Sequence, residues 1–105
     1  MWLWLDCVAK PGATAEAITG RRLQWMADSK DQRLGTLCRA AQRYVVVGEK
    51  PAQVLWLLDT DDRQAVKLIT DHFGELWDVK VHQVTPQTIA QAAVGKEKSQ
   101  TPRGQ

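Results

Sequence analysis

The stretch Ala52-Gln53-Val54-Leu55-Trp56-Leu57-Leu58-Asp59-Thr60-Asp61-Asp62 decides how the chain is read. Its apolar run is too short for a membrane span and stops abruptly in an acidic cluster. Apolar residues fall on both alternating faces, the pattern of a central strand covered on both sides. Beyond it, Thr60 reads as a helix cap, with Asp61 and Asp62 in a first turn where carboxylates meet the positive helix end.

Working outward, Tyr44-Val45-Val46-Val47-Gly48 is β-branched and bounded by Gly48 and Pro51, which predicts a strand. Gly48-Glu49-Lys50-Pro51 then joins it to the Val54 strand as a short antiparallel connection. Upstream, Ala15, Ile18, Trp25 and Met26 share one helical face with Arg22 in the middle of the stripe. Leu34, Leu37, Cys38 and Ala41 repeat at helical spacing, and Asp28-Ser29 offers a break, so Thr14 to Gln42 is read as two helices. Gly20 either weakens the first of them or admits another backbone. Met1 to Ala9 is a buried strand interrupted only at Asp6 and ended by Lys10-Pro11-Gly12.

Downstream, Ala65, Leu68, Ile69 and His72 form the stripe of a helix stopped at Gly74. Leu76 to Val84 alternates Trp77, Val79 and Val81 against Asp78, Lys80 and His82, a strand with one wet or cleft-facing side. Thr85-Pro86 opens a short helix that Gly95 ends. Residues 1–95 are therefore read as one domain, and Lys96 to Gln105 as a disordered basic tail.

Strand, broken helix, strand, strand, helix, strand is the α+β, ferredoxin-like βαββαβ order. It predicts a four-stranded antiparallel sheet with helices on one face. The other face then carries Trp2 and Trp4 or Leu3 and Leu5, together with Val54, Trp56 and Leu58 or Leu55 and Leu57. A bare apolar face of that kind is a binding surface, and the simplest cover is a second copy, giving a two-fold homodimer.

Val54-Leu55-Trp56-Leu57-Leu58-Asp59-Thr60-Asp61-Asp62, followed by Trp77-Asp78-Val79-Lys80-Val81-His82-Gln83-Val84-Thr85-Pro86, resembles the second half of dimeric α+β barrel proteins. It is similar to the small muconolactone isomerase-like proteins and to an uncharacterised branch of that superfamily. The resemblance implies a dimeric α+β barrel. The helical segment from Leu34 to Ala41 is longer than the usual connection of that family, and no family catalytic residue finds a match to carry over.

The 105 residues, 44% hydrophobic and 25% charged, suit one globular domain with a modest core. The net charge is +2, and Lys96, Lys98 and Arg103 against Glu97 account for all of it. A neutral body lacks the electrostatic footprint of a nucleic-acid binder. Cys7 and Cys38 have no metal-ligand spacing; they read as buried free thiols in a reducing compartment, with one disulfide as the other reading. The apolar opening is cut at Asp6 with no basic residue before it, which is no signal peptide, so a cytoplasmic location is expected. Phosphate loops, zinc spacings, nucleophile elbows and glycine-rich fingerprints are missing, so no cofactor and no metal is expected.

Candidate chemistry rests on few residues. His82 and Lys80 share a strand face and can do acid–base work if that face lines a cavity; as an edge strand they would only discourage aggregation. Asp6 is a lone carboxylate in an apolar strand, costly unless paired, and Arg22 interrupts a helical stripe in the same way. His72 reads as a hydrogen-bonded histidine at a helix C-terminus. Among five tryptophans, Trp4 and Trp56 are the expected cavity walls. The expectation is a homodimer that binds a small apolar or aromatic metabolite through Trp4, Trp56, Asp6, Arg22, Lys80 and His82. The alternatives are a cofactor-independent isomerase or oxygenase-like enzyme, with His82 or Asp6 moving the proton, and a non-catalytic interaction domain.

Overall fold

The chain runs β1 (Trp2–Ala9), α1 (Ala15–Ala27), α2 (Lys30–Leu37), β2 (Ala40–Val45), β3 (Gln53–Asp59), α3 (Gln64–Phe73), β4 (Trp77–Val84) and one turn, α4 (Ile89–Gln91). This is a computed structural model that describes residues 1–91. The sheet order is β2-β3-β1-β4 with every neighbouring pair antiparallel. That is the ferredoxin-like arrangement the element order predicts. The Gly95 end of the expected last helix and the Lys96–Gln105 tail lie outside the described residues.

Register decides which side chains meet. Leu3 opposes Leu58, Leu5 opposes both Trp56 and Val81, and Cys7 opposes both Val54 and Val79. Directly opposed residues share a face, so Leu3, Leu5, Cys7 and Ala9 form one surface with Val54, Trp56 and Leu58. This surface packs on Trp25 of α1, Leu34 of α2 and Ile69 and Phe73 of α3. Trp25 lies at the centre, 5.8 Å from the Trp56 ring and 5.1 Å from Phe73. The other face of β1 and β3 carries Trp2, Trp4, Leu55 and Leu57, all half-buried. As the element order predicts, α1, α2 and α3 pack on one face only, and within the described residues no helix covers the second face of β3.

The break at Asp28-Ser29 is real, with Ser29 in the left-handed region at φ 56°. Met26 and Ala15 nevertheless stay exposed, and only Trp25 of their stripe is fully buried. A Cβ on Gly20 would meet nothing within 4 Å, so no close backbone approach explains that glycine.

Several boundaries differ from the sequence reading: β2 ends at Val45 rather than Gly48, and α4 begins at Ile89 rather than at Thr85-Pro86. The second helix ends at Leu37, and the edge strand begins at Ala40, so Ala41 belongs to a strand. Arg39 forces the change: its N–H donates to the Asp59 carbonyl at 2.7 Å, and its guanidinium donates to Asp59 and Asp61 at 2.8 and 3.0 Å. Those bonds lay the chain beside β3 before the helical spacing has run out.

The third helix begins at Gln64, beyond the acidic cluster. Thr60 is buried and does not cap it; its hydroxyl donates to the Leu37 carbonyl at 2.6 Å and accepts from the Asp62 N–H at 3.0 Å. Asp62 takes the capping role, accepting from the Gln64 N–H at 2.9 Å. At the far end, Gly74 closes the helix as expected, its N–H donating to the Thr70 carbonyl at 2.8 Å.

Candidate functional site

The sheet divides the expected site residues into two groups. Trp4 opposes Leu57 and His82, and Asp6 opposes Leu55 and Lys80. Trp4, Asp6, Lys80 and His82 thus share the face without helices. Trp56 opposes Leu5 and Arg43, on the helix face, where Arg22 of α1 also lies. Trp4 and Trp56 therefore do not wall one cavity, and Asp6 and Arg22 do not pair. Adjacent strands share a cavity wall only where their register aligns the parity, and here Leu5, not Trp4, sits opposite Trp56.

On the bare face, Trp4 reaches diagonally over β3 to stack on Tyr44 of β2, with ring centroids 6.4 Å apart and 24° between planes. The Tyr44 hydroxyl donates to Gln42. Asp6 is not left without a partner, because the Gln53 amide donates to it at 2.8 Å. Lys80 and His82 are exposed, and among the described residues neither side chain makes a hydrogen bond or ion pair.

On the helix face, a cleft of about 330 Å³ opens between α2 and the edge strand, bordered by Arg22, Asp31, Leu34, Arg39, Arg43 and Trp56. That volume is at the lower end of small-molecule sites. Arg22, Arg43 and Trp56 also border an inner apolar slot with Cys7, Ile18, Phe73 and Trp77, whose free space of about 20 Å³ holds one water-sized group.

Three arginines meet at the cleft in different states. Arg39 is engaged by Asp59 and Asp61. Its hydrogen bonds hold both carboxyls below the usual carboxylate range. Arg22 faces Asp31 through two contacts of 3.4 Å, and Asp31 also accepts the Trp25 indole N–H. Arg43 lies over the Trp56 ring with its guanidinium carbon 5.6 Å from the centroid. Among the described residues no carboxylate pairs with it. Packing around its guanidinium, and then the neighbouring Arg22 charge, lower its pKa from the usual arginine value.

The remaining candidates are structural. His72 is buried, and its Nε2 donates to the Arg21 carbonyl at 2.7 Å, since a carbonyl only accepts. Nδ1 therefore accepts from Lys30 at 3.0 Å. Arg21 returns the contact by donating to the His72 carbonyl at 2.8 Å, so the histidine ties α1 to α3. Both cysteines are free; Cys7 is buried, while Cys38 is only half-buried. Burial and then the Asp6 charge push the Cys7 thiol up to about 11, and burial raises Cys38 too, which suits neither to nucleophilic work at neutral pH. Among the described residues no group of three or more His, Cys, Asp or Glu is placed to hold a metal ion. No helix among them is long and apolar enough to cross a membrane.

Sequence reasoning missed Arg43 and Asp31. Arg43 falls before the β-branched run that announces the edge strand, and only a strand starting at Ala40 puts it on the parity of Trp56. Asp31 follows the break at Ser29 and looks like an ordinary first-turn acid.

No protein-family model matches the chain, and no curated protein matches it. Among solved structures, a protein of Arabidopsis thaliana matches at 14% identity over 85% of this chain and 98% of its own, with a TM-score of 0.50. An ethyl tert-butyl ether d (EthD) family protein of Bacillus halodurans matches at 12% identity, over 81% of this chain and 100% of its own, at 0.48. An antibiotic biosynthesis monooxygenase matches at 18% identity, over 82% and 100%, at 0.47. At such identities the first likeness supports the ferredoxin-like fold alone, because this fold hosts unrelated functions.

Proposed function

We propose that this chain is a small-molecule-binding protein that works as a homodimer, with its ligand cleft between α2 and the β2 edge. The observation that carries this reading is the cleft of about 330 Å³, in which Trp56 supplies an aromatic floor and arginines supply the rim. One aromatic ring beside several charged side chains offers a ligand both an apolar contact and a charged anchor. Of the residues expected to bind, Trp56 and Arg22 belong to this cleft.

Trp4, Asp6, Lys80 and His82 belong instead to the dimer-facing surface. Trp2, Trp4, Leu55 and Leu57 make that surface apolar, and pairing it sheet to sheet with a second copy builds the dimeric α+β barrel of the muconolactone isomerase-like kind. Free thiols at Cys7 and Cys38 suit a reducing compartment such as the cytoplasm.

Native mass spectrometry of the purified protein tests the reading, with the same sample then denatured. The expected result is a dimer carrying a small extra mass that denaturation releases. A monomer would remove the sheet-on-sheet assembly, and a dimer that takes up no added apolar or aromatic compound would remove the ligand cleft.

A second reading has one specific support: the register sets His82 beside Trp4 and Lys80 beside Asp6, so four chemistry-bearing groups share one face. In a closed dimer they would face the inter-sheet space as an acid–base site of an isomerase or oxygenase-like enzyme. His82→Ala then abolishes turnover with the dimer intact; unchanged turnover removes His82 from that role.

A further inference from the structure

We propose that the ligand of the α2–β2 cleft is an organic acid with a flat apolar or aromatic body, its carboxylate held by Arg43 with Arg22 and its body against Trp56. This rests on the cleft being the ligand site and adds the ligand's charge.

The argument is one of unmatched charge. Arg39 is fully engaged by two carboxylates outside the cleft floor. Arg22 shares Asp31 with the Trp25 indole, and its 3.4 Å contacts are longer than the roughly 2.7–2.9 Å of a tight charge-assisted bond. Arg43, exposed on the edge strand, lies over the Trp56 ring and has no carboxylate partner among the described residues. Among the described residues, Arg22 and Arg43 thus line the same wall with Asp31 as its one carboxylate, which pairs with Arg22 alone, leaving one surplus positive charge where the cleft meets the apolar slot.

A second carboxylate between them matches the planar guanidinium fork, satisfies Arg43 and relieves the repulsion. A monocarboxylate neutralises the surplus, whereas a dianionic phosphate would overshoot it. The inner slot admits only a water-sized group, so the body of the acid stays in the outer cleft. The bare face offers no such imbalance, because Lys80 lies beside Asp6 and its strand also presents Asp78.

The test is a titration of the ¹⁵N-labelled full chain at pH 7 with 2-naphthoate and with its uncharged analogue 2-naphthamide, read at the tryptophan indole N–H signals. Naphthoate is expected to bind at least about tenfold more tightly than the amide, the scale of one charge-assisted hydrogen bond. It should shift Trp56 and Trp25 while leaving Trp2 and Trp4 in place. Arg43→Gln should bring naphthoate down to the affinity of the amide, Arg43→Lys should lose part of the preference, and Lys80→Gln should change nothing.

Equal binding of acid and amide, with the same indole shifts, overturns the charge assignment and leaves the cleft as a ligand site. Shifts at Trp2 and Trp4 that Lys80→Gln removes overturn the placement. No shift with either compound at low-millimolar concentration overturns the charge assignment and the cleft together.

Discussion

The two faces of the sheet are built by the same strands from alternate residues, yet they end differently. On the helix face, Leu5 and Leu58 are 0% exposed and Trp56 packs among Trp25 and Phe73. On the opposite face, Trp2, Trp4, Leu55 and Leu57 are of the same apolar class but stay half-buried. The charged groups differ as well: on the helix side they stand at the rim of a cleft, and on the bare side Asp6, Lys80 and His82 sit within the surface. One face is completed inside the chain. The other is left uncovered by the helices, and composition alone does not distinguish them.

Substitutions at matched positions break or sharpen that contrast. Trp4→Asp has the largest effect: a charge in the middle of the bare face should convert the proposed dimer to monomer in analytical ultracentrifugation while leaving far-UV circular dichroism unchanged. A dimer that survives this change would mean the bare face is covered in some other way. Trp56→Ala should do the reverse, lowering urea-measured stability by about 3–5 kcal/mol at any protein concentration, the cost of emptying a core site. If Trp4→Ala in the monomer cost as much, the two faces would be equivalent after all.

Thr60→Val should cost about 1–3 kcal/mol, because it leaves the Leu37 carbonyl and the Asp62 N–H without their buried partner. A loss under half that range would show that the α2 end is tied to β3 by Arg39 alone.

The smallest effect is one of pH. Arg39 borders the cleft, while Asp59 has the parity of the bare face, so their ion pair joins the two sides at one end of the sheet. The Arg39 hydrogen bonds depress the Asp59 and Asp61 pKa values in the folded protein. Depressed acids contribute stability that is present above the unfolded carboxylate pKa of about 4 and is lost as pH falls through the lowered values. Urea midpoints should therefore decline below about pH 4, and Arg39→Gln should flatten that decline. An unchanged slope in the variant would remove Arg39 as the cause.

Much of the fold was legible because its signals are local. The acidic stop after Leu58 marks the end of β3, Asp28-Ser29 breaks the helices, and Gly74 closes α3. The start of β2 was not legible, since its six residues are all exposed and carry no apolar alternation; backbone pairing and Arg39 place it. The candidate site was only half legible for the same reason. Trp56 and Arg22, both singled out from the sequence, border the same cleft, whereas Trp4, the other expected wall, does not, and which residues meet depends on inter-strand register. A shift of one residue moves a whole side-chain set to the other face, and no single stretch of sequence encodes it. Arg43 shows the consequence, because it joins Trp56 only through a strand that began earlier than its β-branched core.

Cys7 turns the cleft into something that can be timed. Burial raises its thiol pKa and it lines the inner slot with Trp56, Ile18 and Phe73, so a maleimide reaches it as a reactive thiolate when the packing between helices and sheet opens. The labelling rate of Cys7, measured in a Cys38→Ser background, is therefore a clock for how often the helix layer opens. A ligand seated in the outer cleft should slow it.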